Sequence, residues 1–202
     1  MSGRPEPPFD PLDYANIAKS VVDALLAQPL VALGAVSQFD GAGIYAMYYS
    51  GPFPAYSAIA RPQGAAPIYV GKAIPPGGRK GVKAVSLPRT QALWKRLVEH
   101  AISVQAAGSL SLPDFTCRYV VVETVWIPLA EQVLVDRFRP VWNVVIDGFG
   151  NHPPGRGRHA MRRPRWDIVH PGRPWAAELR AEETTDEILR EVAAHFAPKQ
   201  HL

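Results

Sequence analysis

The chain has 202 residues, 47% hydrophobic and 20% charged; that suits one globular domain with elaborations and leaves no room for two full domains. A lone cysteine, Cys117, excludes a disulfide framework and a thiolate metal cluster. The net charge of +4 and pI near 9.3 permit a nucleic-acid partner without demanding one. The opening MSGRPEPPFDP lacks the apolar core of a signal peptide, and no apolar run is long enough to span a bilayer, so a soluble, cytoplasmic protein with no membrane partner is expected.

Residues 1–13 are rich in proline and read as a flexible lead-in, leaving 14–202 as a single domain. From Tyr14 to about Gln28, Ile17, Val21, Val22, Leu25 and Leu26 recur at helical spacing, and Pro29 ends the helix. Gly41 and Gly43 introduce a first strand, Ile44 to Tyr49, rich in β-favouring aromatics. The connection 51–66, containing Tyr56, Ile59 and Arg61, is longer than a tight hairpin needs. A second strand, Ile68 to Val70, runs out through Gly71 and Lys72 to a turn at Pro75–Gly78. The tract Arg79, Lys80, Lys83 and Arg89 then carries no acid.

Thr90 is placed to cap a helix reaching about Ala107, with Leu93, Leu97, Val98, Ala101 and Ile102 on its buried side. Phe115 to Thr124 reads as a third strand, and the valines at 120–122 predict burial on both faces. Pro128 opens a further helix through Glu131, Leu134 and Phe138 that must end before Pro140. The centre is therefore β-β-α-β-α, an α+β fold with a small mixed or antiparallel three-stranded sheet flanked by helices.

After Asn143, a glycine-, proline- and arginine-rich stretch at 148–165 reads as a surface loop able to lie along a ligand. Trp166, His170 and Trp175 suggest an aromatic-anchored loop on the body. Thr184 and Glu187 fit a capping box opening a final helix with Ile188, Leu189, Val192 and Phe196 inward. Arg156, Arg158, Arg162, Arg163 and Arg165 form an acid-free basic stretch followed directly by a segment crowded with glutamates.

The polar residues on this frame have the makings of phosphodiester hydrolysis, which needs a deprotonated water, charge against the phosphate and a stabilised leaving oxygen. Gly43-Ile-Tyr45 and Tyr69-Val-Gly71 set phenols at matched places in neighbouring strands. Arg96 and His100, four residues apart, project from one helical face. Glu131 sits in an otherwise apolar stretch of helix and is the candidate metal ligand. Taken singly each has an ordinary reading: packed strand tyrosines, a solvated helix face shared with Lys95 and Glu99, a glutamate near a helix start.

Taken jointly and in order, Tyr45, Tyr69, Arg96, His100, Glu131 and Asn143 resemble the signature of the GIY-YIG nucleases, with valine replacing isoleucine in the second half. That resemblance implies Tyr45 as general base helped by His100, Tyr69 positioning water or phosphate, Arg96 holding the scissile phosphate and Glu131 binding one Mg²⁺, for which Mn²⁺ would substitute. Asn143 would brace the site, and Lys72 would add charge near the nucleophile.

The helix before the first signature, the long 51–66 connection and the tail from Asp147 are similar to the type II restriction endonuclease branch. In that reading the core spans about 41–147, and 14–40, 51–66 and 148–202 are DNA-binding elaborations. Double-stranded DNA, a GC-rich palindromic site, a homodimer and a cognate methyltransferase in the host are what it implies. Arg79, Lys80, Lys83, Arg156, Arg158, Arg162 and Arg163 are the candidate DNA contacts. The rival readings are a nuclease of the same fold acting in repair or on branched DNA, and a DNA-binding module without catalysis.

Overall fold

Seven consecutive residues of one strand, Gly43–Tyr49 (β2), are buried, because both faces of the sheet it centres are covered. In a computed structural model that describes residues 13–61, 64–75, 90–153 and 161–198, β2 pairs antiparallel with Tyr69–Ala73 (β3) on one side and Phe115–Val121 (β4) on the other. A two-residue strand, Val31–Ala32 (β1), adds to the far side of β4, giving the order β1-β4-β2-β3. The sheet is thus wholly antiparallel and four-stranded. The fourth strand is too short to leave a sequence pattern.

Alternation along β2 divides the interior. Ile44, Ala46 and Tyr48 face the helices Tyr14–Leu26 (α1) and Ile127–Phe138 (α3), where Val22, Leu25, Ala130 and Leu134 fill the space. Tyr45, Met47 and Tyr49 face the helix Ala92–Ala106 (α2) and the aromatic C-terminal half of the chain. Gly43 is required on packing grounds: a Cβ there would stand 2.0 Å from the Val120 carbonyl oxygen.

Three expectations are corrected. The face of α2 that packs inward carries Leu93, Leu97, His100 and Val104, so His100 takes a core position while Ile102 is 61% exposed. The valines of β4 are not buried on both faces: Val121, paired with Gly43 at the end of the sheet, is 52% exposed. The segment around Trp166 and Trp175 is helical rather than looped, with short helices Arg165–Val169 (α5) and Pro174–Ala177 (α6) following Val141–Val144 (α4).

The long connection after β2 turns inward. Tyr56 is fully buried, accepts a hydrogen bond from Trp142 Nε1 at 2.9 Å and lies 2.6 Å from His170 Nε2. With its oxygen accepting from the indole, the phenol donates to His170, whose Nδ1–H faces Ser109 Oγ at 2.8 Å. The last helix, Thr185–Phe196 (α7), begins with the anticipated capping box: Thr184 Oγ1 accepts from the Glu187 amide and Glu187 accepts from the Thr184 amide. Thr184→Ala should lower unfolding free energy by about 1 kcal/mol in urea titration; an unchanged midpoint and slope would mean that α7 does not contribute to the cooperative unit.

Candidate active site

Two helices, two strands and one loop bring the polar residues together. Tyr45 and Tyr69 share a face of the sheet, because Tyr69 pairs with Met47 and side chains alternate along β2. Their rings lie 6.2 Å apart and tilted. The Tyr45 hydroxyl crosses over Gly71, where a Cβ would come within 2.3 Å of it, so the glycine of the second signature is what lets the first tyrosine reach across. There it meets His100 Nε2 at 2.6 Å. Both side chains are fully buried, and the contact gives the Tyr45 hydroxyl and His100 Nε2 each a partner within the core.

Arg96, one turn before His100, extends along the same helix face. Its Nη2 donates to the Gly150 carbonyl at 2.7 Å, and its Nη1 approaches His152 Nε2 at 2.8 Å and Glu99 at 3.1 Å. A guanidinium only donates, so His152 Nε2 is the acceptor of this contact. Phe149 lies flat on His100, ring centroids 4.5 Å apart and planes 17° from parallel, and edge-on to Tyr69 at 5.0 Å. Phe149, Gly150 and His152 fall in the tract after Asp147 that resembles the restriction-endonuclease branch, but none of them has a site role in the sequence reading. Their trace there is an aromatic between two glycines, followed by a histidine.

Lys72 and Glu131 lie on the other side of β3. Lys72 pairs with Ile44 and so faces α3, where its ammonium forms an ion pair with Glu131. Both remain part-exposed. Asn143 does not face the tyrosines: its Oδ1 accepts from the Val70 amide and its Nδ2 donates to the Val70 carbonyl, each at 2.9 Å. With the Trp142 amide bonded to the Ile68 carbonyl at 3.0 Å, α4 stands in for a further strand along the open edge of β3. This fixes the strand that carries both Tyr69 and Lys72.

Burial governs the protonation states. It raises the Tyr45 phenol well above its ordinary range, with Tyr69 adding to the rise and Arg96 opposing it. Tyr69 is raised as well, by burial first, with Arg96 opposing and the charge of Glu131 adding. Burial, then the positive charge of Arg96, with His152 and Arg173 contributing, holds His100 well below the usual imidazole range. At neutral pH the pair is a neutral phenol on a neutral imidazole.

Arg163 is turned to the protein: Nε donates to the Ala176 carbonyl at 3.0 Å and Nη2 to that of Ala177 at 2.5 Å. Arg162 pairs with Glu182 at 2.7 Å across an exposed surface. Arg79, Lys80, Lys83, Arg156 and Arg158 lie outside the described residues.

As a metal site the donor set is sparse. Among the described residues no three histidine, cysteine or acidic side chains converge. One carboxylate, Glu131, stands at the edge of the site. That fits a hard ion such as Mg²⁺, which keeps several waters and takes phosphate oxygens from a substrate, and does not fit a closed zinc or calcium cage.

A family model described as the Eco29kI GIY-YIG domain matches residues 37–196. The chain belongs to that family of GIY-YIG restriction endonucleases. No curated protein matches the sequence. The match takes in β2, β3 and β4, α2 to α7 and every residue of the GIY-YIG constellation from Tyr45 to Asn143, and DNA is accordingly the substrate class of this nuclease domain. No helix among the described residues is long and apolar enough to cross a membrane.

The two buried imidazoles make stability pH-dependent in a predictable direction. Burial pushes His170 down to about 3, and His100 is also depressed, whereas both titrate near 6.5 when unfolded. Below pH 6.5 the unfolded chain therefore binds more protons, and stability falls with pH, by up to about 1.4 kcal/mol per unit for each histidine. Urea unfolding between pH 6.5 and 5 should show this loss. A flat profile there would mean that neither imidazole is held neutral by folding.

Proposed function

We propose that this protein is a type II site-specific deoxyribonuclease that hydrolyses phosphodiester bonds in double-stranded DNA at a GC-rich palindrome, using one Mg²⁺ per active site, for which Mn²⁺ substitutes. The observation that carries the reading is the buried 2.6 Å contact between Tyr45 and His100, with Arg96 and Tyr69 on the same face. A phenol bonded to a neutral imidazole can take up one proton while giving up another.

In the proposed mechanism the Tyr45 hydroxyl donates to His100 Nε2, which leaves the phenol oxygen's lone pairs free to accept. An attacking water gives its proton to that oxygen as the phenol proton moves onto His100. The route avoids a free phenolate, which the raised Tyr45 disfavours. The water oxygen forms its bond to phosphorus and the bond to the 3′ oxygen breaks. Arg96 offers its fork to the phosphate, matching its geometry and charge. Tyr69 orients the water or a phosphate oxygen.

Glu131 would hold the Mg²⁺, whose charge, when bound, stabilises the departing oxygen. Until then Lys72 balances the carboxylate. Asn143 contributes by fixing β3, not by chemistry. Symmetry of a palindromic site favours a homodimer, and a host carrying such an enzyme in the cytoplasm requires a DNA methyltransferase of matching specificity.

The test is digestion of plasmid and genomic DNA with Mg²⁺ or EDTA. Discrete Mg²⁺-dependent fragments are expected from the native protein, with cleavage about a thousandfold slower in Glu131→Ala and about 10²- to 10⁴-fold slower in Tyr45→Phe. Sequenced ends should define one palindrome. Cutting confined to branched or damaged DNA would move the protein to repair; binding without cutting of any substrate would leave a recognition module. Alanine at Arg156 and Arg158 should reduce the slope of log affinity against log salt by about 1 to 2; an unchanged slope would take both residues off the phosphates.

A further inference from the structure

We propose that Arg173, locked by Asp167, is a positioning residue of the active site: it fixes the backbone of residues 148–151 so that the Gly150 carbonyl holds Arg96 and the Phe149 ring covers His100. The inference rests on the nuclease reading above and adds to it a source of order that lies outside the signature residues.

Every donor of the Arg173 guanidinium is used. Nε donates to Asp167 Oδ1 at 2.6 Å and Nη2 to Oδ2 at 2.5 Å. The remaining hydrogens go to backbone carbonyls: Nη1 to Phe149 at 3.0 Å and Asn151 at 3.3 Å, and Nη2 to Gly148 at 3.0 Å. The group is also sandwiched between the rings of Trp166 and Trp175, 4.6 and 4.7 Å from their centroids. Arg173 and Asp167 are buried, their side chains 5% and 2% exposed. A pair of ions taken out of water is poor evidence of stability alone, since well-packed apolar residues do as well or better. What an apolar pair cannot do is gather the Gly148, Phe149 and Asn151 carbonyls of an irregular turn to one point.

That turn touches the catalytic candidates directly. Its Phe149 ring stacks on His100, its Gly150 carbonyl takes Arg96 Nη2, and Gly150 sits so close to Tyr69 that a Cβ would stand 2.7 Å from the phenol oxygen and 2.9 Å from Arg96 Nη2. A shift of about 1 Å in this backbone would displace both the phosphate-binding fork and the cover over the proton acceptor, enough to cost a rate factor of about a hundred. Lysine at 173 keeps the charge but cannot span Asp167 and three carbonyls at once.

The experiment compares native protein, Arg173→Lys and Gly150→Ala in single-turnover cleavage of a DNA fragment bearing the site found with the native enzyme, with DNA affinity measured separately in Ca²⁺. Native protein that cuts nothing would overturn the nuclease reading itself, before the variants are consulted. Given native cleavage, Arg173→Lys should lower the rate constant about 10- to 100-fold with DNA affinity within a factor of three. Mere loss of folded protein would lower only the amplitude.

The acid limb of the rate profile should also move to higher pH in this variant. His100, faced by Tyr45, Tyr69, Arg96, His152 and the charge of Arg173, loses its ring cover and is protonated more readily. Should Arg173→Lys fail to fold, Gly150→Ala, at a part-exposed turn with ordinary backbone angles, still tests the link, with a rate loss of about tenfold or more expected. A native rate constant and native acid limb in Arg173→Lys, or a native rate in Gly150→Ala, would overturn the proposal.

Discussion

Alternation along a strand buried on both faces is the constraint from which the site follows. Once Ile44, Ala46 and Tyr48 are committed to the α1–α3 side, Tyr45 has no choice but the α2 side, and pairing then assigns Tyr69 to the same face and Lys72 to the other. A one-residue slip of β3 would exchange Tyr69 and Lys72 between faces. The register is therefore held hard, by β2 on one edge of β3 and by the Asn143 amide on the other. The two chemical roles proposed here, proton transfer and metal binding, occupy opposite faces of a single edge strand.

Burial on the Tyr45 side explains why this arrangement uses a pair rather than a single base. A lone buried phenol would be too weak an acid to ionise, and a lone buried imidazole would cost an unsatisfied nitrogen. Bonded together, each satisfies the other, and the pair can pass a proton without either side chain carrying charge at rest. Phe149 stacks on the imidazole and packs in turn on Trp142 and Trp166, which keeps water away from the buried pair.

Much of the frame was legible because its signals are local. The strand around Tyr45, the helix stopped by Pro140 and the Thr184 capping box each announce themselves within a few residues. The orientation of α2 did not. Apolar spacing alone favours Ile102 inward and leaves His100 among charged neighbours; the helix instead packs through His100, since the partner that makes its burial tolerable, Tyr45, is 55 residues away. The same distance problem hid Arg173, which in sequence is one more arginine in a basic tail, and hid the use of Tyr56 as a core residue.

Arginines show how environment, not identity, separates structure from a capacity for exchange. Arg173 is bound by a buried carboxylate and three carbonyls, and no substrate could compete for it. Arg165 is committed in a similar way, to Glu183, Glu191 and the Val145 carbonyl, so the acidic segment that follows the basic stretch neutralises part of it internally. Arg96 is held more lightly: by one backbone carbonyl, the exposed His152 imidazole and a glutamate that is 48% exposed. Such partners keep a guanidinium in place without matching the charge-assisted, bidentate bond that a phosphate offers. An arginine meant to meet a phosphodiester has to be both positioned and surrenderable, and of these three Arg96 alone combines the two.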